Sequence, residues 1–298
     1  MKIFFSLFVV LSACMPILSA QEINMHWWNL KHNWDGHSPW FSYMTMSPGH
    51  MGPNALPIPE VQSGELFGDA YAEMEFRSHI SAGDHTQSIK TRFYFPILKD
   101  KVAIDFYGIP FERFQTDTIT RDLRAARDWD GKGYSIGDLY FGTIIQIVKN
   151  KKFPDLALAM YCKTASGNNL ENARFTDAPG YFFNGSIGKN ILKKQDFFIR
   201  LYAMGGFYAW QTHDDVYLQN DAILFGGGAD LNLKKWAFQI QTGGYLGYIG
   251  RKDDPVTLRL KVKRQEEFFH YSLSWQYDLH DINFQTIKLA IGYNFLKK

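Results

Sequence analysis

The sequence predicts an all-β protein, a transmembrane antiparallel up-and-down β-barrel of about twelve strands that follows a non-barrel N-terminal segment. From about residue 69 onward, apolar and polar residues alternate with a period of two, in segments that end in turn-forming residues. Over 284–295, for example, Ile287, Leu289 and Ile291 alternate with Lys288 and Ala290. Successive side chains of a strand point to opposite faces, so only a strand separates these two sets.

The lengths of the connections provide a second observation. Twelve strands are expected, at about 69–81, 86–97, 101–115, 138–149, 154–165, 180–190, 196–210, 220–233, 236–250, 255–264, 267–279 and 284–295. Connections after even-numbered strands are short, whereas those after odd-numbered strands include the two longest, 116–137 and 166–179. Membrane barrels have short turns on the periplasmic side and longer loops outside the cell. This parity predicts that the barrel, residues 69–298, starts in the periplasm.

A soluble β-sandwich or a lipocalin-like barrel would show the same alternation. The composition of the two strand faces distinguishes these soluble folds from a membrane barrel. The apolar face is rich in aromatic residues near the strand ends, such as Phe93, Phe141, Trp236 and Tyr293. Aromatic girdles of this kind mark the two membrane interfaces. We therefore expect the apolar face to meet lipid and the polar face to line the lumen.

The chain begins with features of an export signal. Residues 1–20 combine Lys2, a short apolar run and small residues before a predicted cut after Ala20. A rival reading is a lipoprotein box over 11–14, with lipidation at Cys14. No later segment is long and apolar enough to predict a membrane helix. Cys162 would then be alone in the mature chain on the lipid face, without a disulfide or a metal role.

Residues 21–68 have no strand period and contain Pro53, Pro57 and Pro59. Proline at this density excludes central strands, while the Trp residues of the segment argue against full disorder. We expect this segment to pack against the periplasmic mouth or to enter the lumen as a plug. The alternative is an extension that lies on the surface.

The last predicted strand, 288–295, resembles the C-terminal targeting strand of bacterial outer-membrane proteins, with Gly292, Tyr293 and a closing Phe295. It departs from that pattern in the three residues that follow, 296–298. The resemblance implies a Gram-negative outer-membrane location and insertion by the outer-membrane assembly machinery. It also implies that the surrounding partners are outer-membrane lipids and lipopolysaccharide, and it does not identify a solute.

The predicted lumen face carries charges of both signs. The candidate pore-lining residues are Glu73, Glu75, Arg77, Lys90, Arg92, Arg200, Arg259, Lys261, Lys263 and Lys288. Because the last strand closes against the first, most of the cations are expected to form one basic wall that faces the two glutamates. Such a transverse field would orient a small polar solute, including an anionic one, in a channel or transporter. Alternatively, these charges pair with one another and fill a narrow lumen.

A candidate cation site lies on the loop rim. If the parity holds, the following residues share one end of the barrel: Asp84, His85, His213, Asp214, Asp215, Asp253, Asp254, His280 and Asp281. Carboxylates and imidazoles can bind a divalent cation, which could bridge lipopolysaccharide phosphates or be cargo. Loop tips also favour Asp for turn geometry alone. Beyond this possible cation no cofactor is expected, and a formal charge of +2 gives no reason to expect nucleic acid.

Two other functional readings are open. His79 and Ser81 are similar in type to the His and Ser of outer-membrane phospholipases, which would make the barrel a lipid hydrolase; the strand period, however, assigns both to the lumen, and we expect no enzyme. A structural or partner-binding barrel is the other alternative. The glycine pairs and triplets at 205–206, 226–228 and 243–244 lie within strands, where they predict bends or close approach of lumen contents to the backbone.

Overall fold

Thirteen antiparallel strands form a single sheet in the part of the chain that the computed structural model describes, residues 25–149 and 152–295. They are β1 (Tyr71–Ile80), β2 (Asp84–Leu98), β3 (Val102–Thr116), β4 (Lys132–Ser135), β5 (Leu139–Val148), β6 (Asp155–Lys163), β7 (Gly180–Lys194), β8 (Phe197–Gln211), β9 (Gln219–Leu233), β10 (Trp236–Leu246), β11 (Val256–Gln265), β12 (Phe269–His280) and β13 (Gln285–Asn294). All except β4 form a closed barrel of twelve strands, which confirms the predicted fold class.

The barrel closes between its first and last strands. β1 pairs with β2 on one side and with β13 on the other, from Tyr71 opposite Asn294 to Ile80 opposite Gln285. Closure removes the free edges of the sheet, so that the backbone polar groups of the strands are hydrogen-bonded within it. A sheet of this form can cross a bilayer.

The apolar face of the strands points outward. On β13, Ile287, Leu289 and Ile291 are each about half exposed, whereas Thr286 and Ala290 on the opposite face are buried. A continuous apolar belt of this kind is unfavourable in water and favourable against lipid tails. The predicted orientation of the two faces is therefore confirmed, and Cys162 lies on the outer face as expected.

The two ends of the barrel differ in their connections. At the turn end, the connections include 99–101, 195–196, 234–235 and 266–268. At the loop end they are 81–83, 117–138, 164–179, 212–218, 247–255 and 281–284. This agrees with the predicted parity, and in barrels of this architecture the turn end is the periplasmic one.

The longest predicted loop has structure of its own. It contains a short helix over Thr118–Leu123, in which the Asp117 carboxylate accepts a hydrogen bond from the Thr120 N–H at 2.7 Å. The loop then returns as β4, which pairs with residues 112–115 of β3 beyond the point where β5 leaves that strand. Sequence alternation over only four residues is too short to have predicted β4.

A β-bulge interrupts the pairing of β2 with β3. Ile89 lies opposite Phe111 and Thr91 lies opposite Gly108, so Ile109 and Pro110 together face Lys90. Pro110 has no N–H to donate to the ladder, which makes it suited to a bulge. Bulges change the direction of nearby side chains, and Lys90 is part of the site described below.

Residues 25–36 belong to one compact unit, and the residues from 37 onward form a second one. The first unit contains the helix α1 (His26–His32), which ends where Asn33 adopts a left-handed conformation with φ of 52° and its N–H donates to the Asn29 carbonyl. The predicted signal peptide, including Cys14 and Ala20, lies outside the described residues. In the described ranges no helix has the length and apolar character needed to cross a membrane.

Candidate functional site

Residues 44–68, called here the lumen segment, run inside the barrel from the loop end to the turn end. Near the loop end the Trp210 indole donates to the Met46 carbonyl at 2.8 Å. Farther along, the Tyr245 hydroxyl donates to the Leu56 carbonyl at 2.8 Å. Near the turn end the Arg200 guanidinium donates to the Ser63 carbonyl at 2.9 Å. The barrel wall therefore supplies side-chain donors to a segment that has no partner strand.

Two glycines, Gly226 of β9 and Gly243 of β10, leave room for the middle of the lumen segment and are called the glycine seat. Val61 packs against Gly226 and Gly243, where an added Cβ would lie 2.7 and 3.0 Å from the Val61 side chain. Side chains at either position would collide with the segment. The prediction that glycines mark close approach of lumen contents to the wall is confirmed for these two positions.

A cavity of about 280 Å³ lies between the lumen segment and a wall formed mainly by β11–β13, β1 and β2. Nine of the ten candidate pore-lining residues face it; the exception is Arg200, which pairs with Asp155 at 2.9 Å on another part of the wall. The cations that line the cavity are Arg77, Lys90, Arg92, Arg259, Lys261, Lys263 and Lys288.

Arg92 is held in one orientation by a buried carboxylate. Its Nε and Nη2 donate to the two oxygens of Asp105 at 2.9 and 2.7 Å, and Asp105 also accepts from the Tyr161 hydroxyl at 2.8 Å. Such a two-point contact fixes the plane of the guanidinium. The remaining Nη1 points to Glu60 of the lumen segment.

Glu60 joins two cations of the wall. Its Oε1 accepts from Lys90 Nζ at 2.9 Å and its Oε2 accepts from Arg92 Nη1 at 2.9 Å. The flanking residues Pro59 and Val61 are buried, whereas the Glu60 side chain is 49% exposed to the cavity. Lys90 also lies over the Tyr107 ring, 4.4 Å from its centroid.

Four cations on β11 and β13 make no ion pair with a carboxylate in the described part of the chain. Lys288 donates to the Gln276 side chain at 2.8 Å, and Arg259 donates to the carbonyls of Ile58 and Pro59 at 2.7 and 3.0 Å. The other two are Lys261, which lines the cavity, and Lys263, whose ammonium lies 5.1 Å from the Phe67 ring centroid.

The glutamates of β1 are paired within the wall. Glu75 accepts from Arg77 at 2.5 Å, and Glu73 contacts the His270 ring at 2.9 Å. The expected basic wall that faces Glu73 and Glu75 is thus present as a set of neighbouring side chains. These two acids are engaged, and the cavity is also lined by Asp278 of β12 and Asp230 of β9. The cavity cations that make no direct ion pair in the described chain lie on β11 and β13.

Asp84 does not lie in the expected rim cluster. β2 starts at Asp84, two residues earlier than expected, so its side chain shares the inner face with Thr86 and Ser88. There its carboxylate accepts from Arg174 at 2.9 Å and from Arg124 at 2.5 Å. The assignment of Asp84 to a rim metal site is therefore corrected to a buried ion-pair network.

That network also fastens the lumen segment near the loop end. The fully buried Arg174 donates to Glu112 at 2.8 Å, and Glu112 accepts from the Asn54 amide at 2.6 Å. Gly52 lies against the Arg174 guanidinium, which an added Cβ would approach to 2.7 Å, and its N–H donates to the Ala173 carbonyl. The loop 164–179 and the lumen segment are thereby joined inside the barrel.

The other candidate metal ligands come together only in part, and not as a metal site. Across 25–149 and 152–295, no group of three or more His, Cys, Asp or Glu side chains could hold a metal ion. Three of the rim residues contact one another: the Asp281 carboxylate accepts from the Asp254 N–H at 2.7 Å and lies 3.3 Å from the His280 ring, which also contacts the Asp254 carbonyl at 2.9 Å. The other rim residues have other surroundings; they are His85, His213, Asp214, Asp215 and Asp253. For example, His213 contacts the Thr176 carbonyl at 2.9 Å and Asp253 accepts from the Asn220 amide at 2.7 Å.

Two rim carboxylates show how different these surroundings are. Burial and the nearby charge of Asp253 raise the pKa of Asp254. Burial acts in the same direction on Asp214, but hydrogen bonds from the N–H groups of Tyr217 and Val216 and from Arg251 outweigh it and lower the pKa of Asp214.

His79 and Ser81 do not contact each other as a base and a nucleophile would. The buried His79 ring contacts the Thr286 hydroxyl at 2.9 Å and the Ser88 hydroxyl at 3.4 Å. The Ser81 hydroxyl donates instead to the Asp84 carbonyl at 3.3 Å. This arrangement does not support a lipid hydrolase built on the pair.

Sequence reasoning did not select Glu60 or Arg174 as site residues. Glu60 is the only charged residue over 51–64, which was a usable signal because an isolated acid in an apolar, proline-rich segment needs a partner. Arg174 lies in a predicted external loop and gave no comparable signal.

Comparisons with known proteins add evidence on the fold. No protein-family model matches the sequence, and no curated protein matches it. An outer membrane channel from Pseudomonas putida F1 is similar in structure, with 12% sequence identity over 81% of this chain and 97% of that chain, at a TM-score of 0.52.

Two other solved structures are more distant. The transport unit of the autotransporter AIDA-I from Escherichia coli has 10% identity over 82% of this chain and 95% of its own, at a TM-score of 0.45. The KdgM porin in complex with disordered oligogalacturonate has 10% identity over 75% and 99%, at a TM-score of 0.45. The closed barrel and its apolar outer belt thus give this chain the fold of a bacterial outer-membrane β-barrel, and the outer membrane is its location.

Proposed function

We propose that this barrel is an outer-membrane channel or binding transporter for a small anionic solute. The observation that carries the proposal is a set of four cations that line the cavity of about 280 Å³ and make no ion pair with a carboxylate among the described residues: Arg259, Lys261, Lys263 and Lys288. A buried cation that lacks a direct ion pair is costly. A solute that brings negative charge would offset that cost at the place where it binds.

The lumen segment has a part in the same proposal. It runs along the lumen beside the cavity, so we propose that it acts as a plug that narrows the pore. Charges that line a narrow passage attract counter-ions and select among them. A narrow, positively charged passage would favour small anions over cations.

Selectivity in a planar bilayer tests the charge argument. Under a KCl gradient, the reversal potential of the wild-type barrel should show preference for Cl⁻. Combined Arg259→Glu, Lys261→Glu and Lys263→Glu substitutions should lower the anion-to-cation permeability ratio by about tenfold, because the local field changes sign. Arg264→Glu, at the turn end and outside the cavity, should leave the ratio unchanged. Inserted protein that conducts no current, or a ratio indifferent to the triple change, would contradict the proposal.

Chemical labelling tests the path of the lumen segment. Pro39 is exposed beside the loop end, where its neighbours Trp40 and Phe41 contact Arg127 and His213. In a Cys162→Ser background, a Pro39→Cys variant should react with a membrane-impermeant maleimide on intact cells. A Lys99→Cys variant at the turn end should react only after the outer membrane is permeabilised. Equal protection of both cysteines would show that the segment does not pass through the barrel.

A further inference from the structure

The contact between Glu60 and the wall has the geometry of a bound carboxylate ligand. One oxygen meets an ammonium, Lys90 Nζ, and the other meets a guanidinium nitrogen, Arg92 Nη1, each at 2.9 Å. Asp105 holds the guanidinium from behind, so Nη1 is directed toward the cavity before any ligand arrives. Lys90 and Arg92 therefore form an oriented pair of donors suited to two oxygens of one carboxylate.

The Glu60 carboxylate is more accessible to a competing ligand than the carboxylates of the neighbouring ion pairs. The Asp105 side chain is 0% exposed and that of Glu75 is 8% exposed, whereas that of Glu60 is 49% exposed. Its cation partners Lys90 and Arg92 are only 9% and 18% exposed, so water competes for the carboxylate and leaves the two donors in place. Losing the Glu60 contact would leave its carboxylate in the water of the cavity, while Pro59 and Val61 could stay buried.

A second cationic group without a direct partner in the described chain lies within the same cavity, near the charges of Glu73, Glu60 and Glu75. Lys261 lines it without a hydrogen bond or ion pair among the described residues, and the amide of Gln241, hydrogen-bonded to the Tyr202 hydroxyl at 2.8 Å, also lines it. A molecule that places one carboxylate on Lys90 and Arg92 would have a second positive group available. This combination favours a small organic acid with two anionic groups over a simple halide.

We propose that Glu60 is an internal substitute for the carboxylate of the solute, and that the solute is a small organic acid that displaces it from Lys90 and Arg92. The inference rests on the proposed function and names its substrate class and the point of entry to the site. A tethered group competes at an effective concentration in the millimolar range. The solute would therefore bind when its own concentration is comparable, and Glu60 would return to the pair when the solute leaves.

Titration of the purified, folded barrel in detergent with succinate tests this inference. Removal of the internal competitor in Glu60→Gln should tighten succinate binding by about tenfold, as expected for loss of a tethered ligand. Glu266→Gln changes a carboxylate at the turn end that pairs with Lys235 and Arg264 and does not line the cavity, and it should bind succinate as the wild type does. Glu60→Asp keeps the charge with a shorter reach and should fall between the two.

Two further measurements identify the site. Addition of Lys90→Gln to the Glu60→Gln chain should weaken succinate binding by at least about tenfold, since one charged donor of the pair is lost. Succinamide, the neutral diamide, should not compete with succinate in any variant. A heat-dependent mobility shift in gel electrophoresis shows for each variant that the barrel is folded.

The outcomes separate this inference from the proposed function. Equal succinate affinity in folded wild-type and Glu60→Gln protein, or no binding to either, overturns the inference. If the bilayer measurement still shows anion preference, the proposed function survives that result. If the reversal potential shows no anion preference as well, both proposals fail.

Discussion

The two sides of the barrel interior are built differently. On β5–β10 the inner face is filled by large aromatic side chains that pack on one another, as in the stack of Tyr161 on Phe182 with centroids 4.7 Å apart. The buried members of this aromatic side are Tyr140, Tyr161, Phe182, Tyr202, Tyr208, Trp210 and Tyr245. On β11–β13, β1 and β2, the charged side, cations and carboxylates surround a cavity.

The lumen segment lies between the two sides and presents a different face to each. Leu56, Ile58, Val61 and Leu66 belong to the same apolar cluster as the aromatic side, while Glu60 reaches the charged side. Burial of aromatic surface stabilises a fold, whereas buried charges cost free energy unless they are well paired. Stability thus explains the aromatic side, and we propose that the cations without ion pairs on the charged side bind a ligand.

The largest expected effect on stability comes from removing a buried ring of the aromatic side. Trp210→Ala removes a fully buried ring and its hydrogen bond to Met46, and should lower the free energy of unfolding by about 3–5 kcal/mol. Urea titration of the barrel in lipid vesicles measures this. Trp236→Ala removes a ring from the outer face of β10, where the side chain is 42% exposed, and should cost less than half as much. Equal losses would mean that the interior is not packed as a core.

An intermediate effect is expected where the lumen segment meets its glycine seat. Gly226→Val would force a side chain against Val61 and should cost about 1–3 kcal/mol, with a larger single-channel current if the segment is expelled. Gly205→Val is the matched control, because nothing lies within 4 Å of an added Cβ there. Val61→Gly in the Gly226→Val background should restore the wild-type current. A current that stays changed after Val61→Gly would contradict the packing of Val61 on Gly226.

The smallest effect is expected outside both sides, at the turn end. Hydrogen bonds from Lys235 and Arg264 lower the pKa of Glu266 from its ordinary value of 4.5. Because the folded pKa lies below the unfolded one, the stabilisation is complete above pH 4.5 and is lost as the pH falls through the folded pKa. Comparison of wild type with Glu266→Gln in urea titrations between pH 3 and 7 should show a small difference near neutrality that disappears in acid. A difference that grows as the pH falls would reverse the sign of this prediction.

The strands were predictable from sequence and the contacts across the lumen were not. Period-two alternation and turn residues are local signals, so the strand order and the inward direction of Lys90, Arg92 and Lys288 could be predicted. The contact of Glu60 with Lys90 depends on how a segment without a period packs through space. β2 starts at Asp84, two residues before the predicted start of the strand. The Asp84 carboxylate therefore lies in the lumen and not on the rim.

Closure of β13 on β1 implies that the lumen segment is inside the barrel before the ring of strands is complete. The lumen segment precedes β1 in the chain, so it is present before the last strand arrives to complete the ring. A barrel that closes around the segment encloses Val61 and Glu60 in its lumen, whereas a barrel that closes first would require the segment to be drawn through a finished pore lined with charge. The ten-residue ladder between Tyr71 and Asn294 at one end and Ile80 and Gln285 at the other is therefore the seam at which the contents of the lumen are sealed in.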